Sequence, residues 1–327
     1  MNAKQVPRIR LEGRTKLQDV IPLDTPIHMF IDPSAACNFS CKFCFNAHKE
    51  KTFHNIMKYD LFTKIIDDCM QFPRKMKALR LYAYGDPLLN PMLPQMVRYA
   101  KRAEVADIVE FTTNGWWLNP DKNRRLIDAG LDRITISVGG LTVQQFQDMC
   151  GRNVNPVQYR RNIRHFYNHK KQCTVHVKAT NVIASGTNCE LFFKQYGDIC
   201  DEISIDNIVP IWPGTELSVV SDPKYNIYMR EIKPVEVCTY IFYHLTVNAN
   251  GDICPCFIDW EHKNILGNAK VDSVYEIWHS PKLTRMRIDH LQKNRKAYPL
   301  CAECGQLKYG EPDCIDEYRD EILGRLM

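Results

Sequence analysis

The chain has 327 residues, 45% hydrophobic and 25% charged, with a formal net charge of +5. That is an ordinary globular composition, long enough for one large core or for a barrel with a smaller appended module; the slight positive excess suits anionic ligands but is no nucleic-acid signature on its own. The charged N-terminus lacks the apolar stretch of a signal peptide, and no run of about twenty apolar residues predicts a membrane span, so a cytoplasmic protein is expected, in which fourteen cysteines are better read as metal ligands than as disulfides.

In chain order, residues 1–27 form an extension before the first predicted strand. Strands rich in β-branched and aromatic residues are expected at 28–32, 78–84, 107–114, 133–138, 174–182 and 202–209. Helical patterns fill the gaps. Leu61, Phe62, Ile65, Ile66 and Cys69 share one face over 60–72. Asn119 and Pro120 read as a cap and first position, with Gly130 as the stop. Weaker patterns run over 91–103, 143–149, 156–168 and 189–198.

Six alternating units predict an α/β fold, a parallel sheet wrapped by helices and either open or closed as a barrel. Such sheets carry their sites at the C-terminal strand ends. Polar residues gather at those ends here: Tyr84-Gly85-Asp86-Pro87, Thr113-Asn114-Gly115, Ser137, and Lys178 with Thr180 and Asn181. Residues 215–237 read as a connection, and 238–327 as a second, cysteine-bearing module. In it, two short strands should fold about the hairpin signal Asn250-Gly251.

The first strand runs into CNFSCKFC, which places Cys37, Cys41 and Cys44 on one loop. Three thiolates can hold three irons of a [4Fe–4S] cube and leave the fourth open for chemistry. A zinc ion with His48 or His54 as fourth ligand is the alternative that spacing leaves open. CNFSCKFC, YGDPLLNP, TTNG and ISVGG, on four successive strand ends, together resemble the radical S-adenosylmethionine (SAM) enzymes. The resemblance implies a partial (β/α)6 TIM-like barrel, a [4Fe–4S] cluster on Cys37, Cys41 and Cys44, and SAM bound at the open iron.

It also implies roles at the rim. Phe43 would lie by the adenine. Gly85 and Asp86 would receive the methionine amino group, although Tyr84 replaces the usual first glycine and Asp86 a glutamate. Asn114 and Ser137 would contact the ribose. Lys178 or Arg152 would pair with the methionine carboxylate. An electron donor such as flavodoxin or ferredoxin is implied as a partner.

Cys238, Gly251, Cys256, Cys301 and Cys304 resemble the SPASM extension in its shortened, twitch-like form. They imply one auxiliary [4Fe–4S] cluster on Cys238, Cys256, Cys301 and Cys304; a structural zinc on the same thiolates is the alternative. Cys314 is a candidate hydrogen-atom donor, and Cys254 an inert buried thiol. Cys69, Cys150, Cys173, Cys189 and Cys200 read as core packing. His244, Asp259, Glu261 and His262 are candidate acid–base groups near the auxiliary cysteines.

The short stretch before the first strand favours a small polar substrate, such as a sugar, aminocyclitol or nucleotide-sugar undergoing oxidation or epimerisation. A peptide maturase, a tRNA-modifying enzyme and a non-catalytic iron–sulfur or zinc scaffold are the other readings. The basic stretch YRRNIRHFYNHKK (159–171) reads as a solvated helix face, so a nucleic-acid partner is not expected.

Overall fold

A computed structural model describes residues 2–7, 12–48, 54–215, 224–310 and 312–327. Its strands in chain order are β1 (Lys4–Gln5), β2 (His28–Ile31), β3 (Met76–Arg80), β4 (Ala106–Thr113), β5 (Arg133–Ser137), β6 (Thr174–Thr180), β7 (Glu202–Asp206), β8 (His244–Val247), β9 (Asp252–Cys254) and β10 (Gly267–Asn268). They form one sheet in the order β1-β7-β6-β5-β4-β3-β2-β8-β9-β10. All six strands expected from sequence are present and pair in parallel with their sequential neighbours.

The helices of the barrel half are α1 (Leu17–Val20), α2 (Tyr59–Cys69), α3 (Leu93–Ala103), α4 (Pro120–Asp128), α5 (Val143–Cys150), α6 (Pro156–His169) and α7 (Thr187–Tyr196). The starts of α4, α5 and α6 carry side-chain caps. Asn119 Oδ1 accepts from the Lys122 amide at 2.9 Å, and Thr142 Oγ1 from the Gln145 amide at 3.1 Å. Their buried faces, such as Phe62, Ile65 and Ile66 of α2, pack on Met29, Ile31, Leu79, Phe111, Ile134 and Val177 of the strands. Because side chains alternate along a strand, the other face carries His28, Phe30, Arg80, Glu110, Arg133, His176, Lys178, Ser204 and Asp206. That interior face is polar and paired: Arg80 Nε lies 2.8 Å from Glu110, and Arg133 Nη2 lies 2.6 Å from Glu202.

Two strands end earlier than the sequence pattern suggested. β3 stops at Arg80 because the chain then bends to wrap the loop after β2: the Asp86 amide donates to the Ala36 carbonyl at 2.9 Å. β7 stops at Asp206 because Asn207 turns aside, its Nδ2 donating to the Tyr225 and Asn226 carbonyls.

The C-terminal part carries α8 (Tyr240–Tyr243), α9 (Val274–Trp278), α10 (Pro281–Leu291), α11 (Pro299–Glu303), α12 (Gln306–Tyr309) and α13 (Arg319–Leu326). The hairpin at Asn250-Gly251 is formed, and Gly251 takes the left-handed φ of +95° that the turn needs. Its first strand, β8, pairs in parallel with β2, so the barrel sheet continues into this part. Likewise β1, within the N-terminal extension, pairs with β7 at the opposite edge.

Candidate functional site

The loop after β2 carries Cys37, Cys41 and Cys44, all half-buried. Three separate contacts fix it. On one side, the Ser40 and Lys42 amides donate to the Cys150 and Met149 carbonyls at the end of α5, at 3.0 and 2.9 Å. On the other, Gly85 passes so close that a Cβ there would meet the Ala36 and Ser34 carbonyl oxygens at 2.2 Å each. Only glycine fits that approach, which is the physical content of the glycine in YGDP. Below, Asn90 donates through Nδ2 to the Pro33 and Met57 carbonyls at 2.9 and 3.0 Å.

Cys37 lies within electrostatic range of Cys41 and Cys44, and burial pushes its thiol well above the ordinary range. Cys41 is raised first by a hydrogen bond with Cys150 and then by burial. Cys150, expected as core packing, is fully buried but also touches the predicted ligand loop. Its position 106 residues or more after that loop gave no local signal of the contact. Cys69, Cys173 and Cys200 are buried as expected, whereas Cys189 is only half-buried on α7.

The structure revises Asp86. Its side chain is 2% exposed and points inward. Oδ1 accepts from the Leu88 amide at 2.9 Å, Oδ2 from the Asn114 amide at 2.7 Å, and Thr113 Oγ1 donates to both. Burial raises its carboxyl despite those donors. The carboxylate therefore ties the second strand end to the third.

Asn114 lies beside the cysteine loop. Its Nδ2 donates to Asn38 Oδ1 at 2.9 Å and lies 3.9 Å from Cys37 Sγ. Ser137 is half-buried at the end of β5, directly across from Lys178 on β6. Lys178 is bound to Asp206 at 2.8 Å, so its expected pairing with a methionine carboxylate would have to compete with that ion pair. Arg152 is exposed, and its Nε donates to the Asn38 carbonyl at 2.5 Å. Phe43 is half-buried, while its neighbour Phe45 is 2% exposed and packs on Tyr84, Trp212 and Trp260.

The second cysteine set is brought together. Cys238, Cys256, Cys301 and Cys304 line one cavity with Ile241, Pro255, Met286 and Leu300. Burial, then the neighbouring Cys238 and Cys304, raise the Cys256 thiol well above the ordinary range; burial pushes Cys301 up to about 12. Four half-buried thiols lining one cavity, whose wall also carries Asn264, His290, Arg295 and Gln306, suit a group that binds thiolates and cancels their charge. Among the described residues, no three Cys, His, Asp or Glu side chains, those of either cysteine set included, form a group that could hold a single metal ion.

Cys314 is exposed, and the charged groups around it are Asp316 and Glu317. Cys254 is fully buried and accepts from Asn248 Nδ2 at 3.3 Å. The acid–base candidates serve the fold. Asp259 accepts from the Lys263 and Asn264 amides, His262 pairs with Asp252 at 3.0 Å, Glu261 with Lys263 at 2.7 Å, and His244 is enclosed by aromatic rings. His48 and His54 flank residues 49–53, which lie outside the described residues.

A partial parallel barrel with a three-cysteine loop after its first strand, joined to a four-cysteine module, defines a class. Residues 31–182 match the Radical SAM superfamily, and residues 238–305 match SPASM, an iron–sulfur cluster-binding domain. The chain carries a radical SAM domain and a SPASM domain. Its cofactors are therefore SAM, a [4Fe–4S] cluster and an auxiliary iron–sulfur cluster. It is 24% identical over 318 residues to the tungsten-containing aldehyde ferredoxin oxidoreductase cofactor-modifying protein of Pyrococcus furiosus, covering 85% of this chain and 86% of that one. Among solved structures it resembles BtrN in complex with AdoMet and 2-DOIA (17% identity, TM-score 0.57, 88% of this chain and 96% of that one). It also resembles Streptococcus suis SuiB bound to S-adenosylmethionine (16% identity, TM-score 0.65, 92% and 76%). These structural likenesses show the fold alone. No helix among the described residues is long and apolar enough to cross a membrane.

Proposed function

We propose that this chain is a radical SAM enzyme that removes a hydrogen atom from a small polar molecule and then oxidises or epimerises it. Cys37, Cys41 and Cys44 would hold the [4Fe–4S] cluster, which when reduced cleaves SAM to methionine and a 5′-deoxyadenosyl radical. Cys238, Cys256, Cys301 and Cys304 would hold the auxiliary cluster. The convergence of those four thiols on one cavity is the observation that carries the assignment.

The chain's own residues supply position and exclusion. Gly85 lets the second strand end close on the cysteine loop, where Asn46 Nδ2 donates to the Tyr84 carbonyl at 2.6 Å. Asp86 holds that strand end to Asn114. Phe45, Tyr84, Trp212 and Trp260 form an aromatic wall beside Cys44 that keeps water from the reacting centre. The polar interior, with Lys178, Asp206, Ser204 and His176 linked across β6 and β7, favours a hydroxyl-bearing substrate over an apolar one. A sugar, an aminocyclitol or a polar cofactor fragment fits that chemistry. A peptide substrate finds support only in a shared fold.

The test is anaerobic reconstitution with SAM and a strong reductant. We expect 5′-deoxyadenosine, and its loss when Cys37, Cys41 and Cys44 are replaced by Ala. Replacing Cys301 and Cys304 by Ala should spare substrate-free cleavage of SAM while halving the bound iron. No 5′-deoxyadenosine under any reducing condition would return the chain to the scaffold reading.

A further inference from the structure

His290 has no part in the chemistry above. It lies on α10, where Leu283, Met286, Arg287 and Leu291 are buried with it. The imidazole is 1% exposed, and neither ring nitrogen has a hydrogen-bond partner among the described residues. A buried imidazole left unpaired forfeits the hydration of both nitrogens, a cost that native structures rarely bear without a partner for the ring. His244 is in the same condition, but aromatic rings box it in. His290 instead lines the cavity of Cys238, Cys256, Cys301 and Cys304.

The polar groups around it are already engaged. Tyr298, whose ring centroid lies 5.8 Å from that of His290, donates to Asp289 at 2.8 Å, and Arg285 holds the same carboxylate at 2.9 Å. In the cavity wall, Gln306 Nε2 donates to Tyr240 Oη at 2.9 Å, and Arg295 Nη1 donates to the Cys301 carbonyl. Other donors of this module already reach the sulfurs. The Ile258 amide lies 3.4 Å from Cys256 Sγ, and Asn264 Nδ2 lies 3.9 Å from Cys301 Sγ.

Sulfur bound to iron carries negative charge and accepts hydrogen bonds. Each such bond steadies the extra electron of the reduced state and so raises the reduction potential. An imidazole keeps at least one N–H in either protonation state. The cavity therefore brings an unpaired donor to four sulfurs that would become acceptors on binding iron.

We propose that His290 donates a hydrogen bond to a sulfur of the auxiliary iron–sulfur group and thereby raises its reduction potential. The proposal rests on Cys238, Cys256, Cys301 and Cys304 holding that group, and not on cleavage of SAM at the other site. No bond is made or broken by His290; the hydrogen bond shifts only the balance between the oxidised and the reduced group.

The experiment uses the full chain carrying Cys37→Ala/Cys41→Ala/Cys44→Ala, reconstituted anaerobically with iron and sulfide, so that only the second site is loaded. Its reduction midpoint is read by potentiometry with electron paramagnetic resonance detection, without SAM or substrate. We expect His290→Phe to keep its iron and to be about tenfold harder to reduce, equivalent to about 59 mV for one electron. His290→Gln, which retains an N–H donor, should recover most of that shift. With 15N-labelled histidine, pulsed spectra of the reduced group should show a weak nitrogen coupling in the chain that has His290, and none in His290→Phe. An unchanged midpoint in His290→Phe overturns the proposal. Where His290→Phe does not hold iron, the coupling in the chain that has His290 decides. Its absence overturns the proposal, and a strong coupling to a directly bonded nitrogen overturns it in favour of His290 as a ligand. Uptake of zinc with no iron and sulfide at the second site would instead overturn the iron–sulfur assignment beneath it.

Discussion

Asp86 shows how far one residue type constrains its own use. A carboxylate at the second strand end matched a family motif, and the motif's position was legible. Its direction was not, because the donors that claim it, Thr113 and the Asn114 amide, lie 27 and 28 residues away. Asp86→Ala should leave three buried donors without an acceptor, a loss of about 3 kcal/mol or more in unfolding free energy. Asp86→Asn retains one acceptor oxygen and should lose less. Urea unfolding of the apoprotein checks both. A normal unfolding midpoint combined with weakened SAM binding would show instead that the carboxylate meets the ligand. The cysteines were the most legible residues of all, since their spacing needs no tertiary knowledge. The Cys41–Cys150 contact was hidden because it joins a loop to the end of a helix over a hundred residues further on.

Among elements, those with a strong period were read correctly and the very short ones were missed. β2 and β4 to β7 each carry enough β-branched and aromatic residues to mark them, β3 (MKALR) was found only through the residues that follow it, and each helix between them has a cap or a clear buried face. β1 has two residues and no pattern of its own; it exists because β7 offers an open edge. β8 was recognised as half of a hairpin, but its pairing with β2 depends on the N-terminal strand's free side. The aromatic wall couples the halves at this scale. Trp260 stacks on Phe45 at 5.6 Å, and its Nε1 donates to the Pro213 carbonyl at 3.0 Å. Trp260→Ala should lower stability by about 3–5 kcal/mol, as buried tryptophan truncations do. Trp260→Phe keeps the ring contact and should lose only about 1 kcal/mol, for the missing hydrogen bond. Equal midpoints for the Ala variant and the wild type in thermal unfolding would show that this wall does not join the two parts.

At the scale of the whole molecule, the barrel interior makes stability depend on pH. His244 is fully buried among Phe30, Tyr240, Tyr243 and Phe257, faces His28 and Arg80, and has no hydrogen-bond partner for either ring nitrogen among the described residues. Burial, aided by the Arg80 charge, pushes its pKa down to about 3. Burial likewise lowers His176 to about 4, with Arg133 and Lys178 adding to the effect. In the unfolded chain these imidazoles take up a proton near pH 6.5, whereas in the folded protein they resist it. Their contribution is therefore fully present above about pH 6.5 and is lost as pH falls toward 4 and below. The urea midpoint of the apoprotein should fall steadily from pH 7 to 5. In His244→Phe, which keeps an aromatic ring in the same box and removes one titrating group, that fall should be shallower. Parallel pH profiles for the two proteins would mean that His244 is solvated in solution and that the aromatic box around it opens more readily than its packing implies.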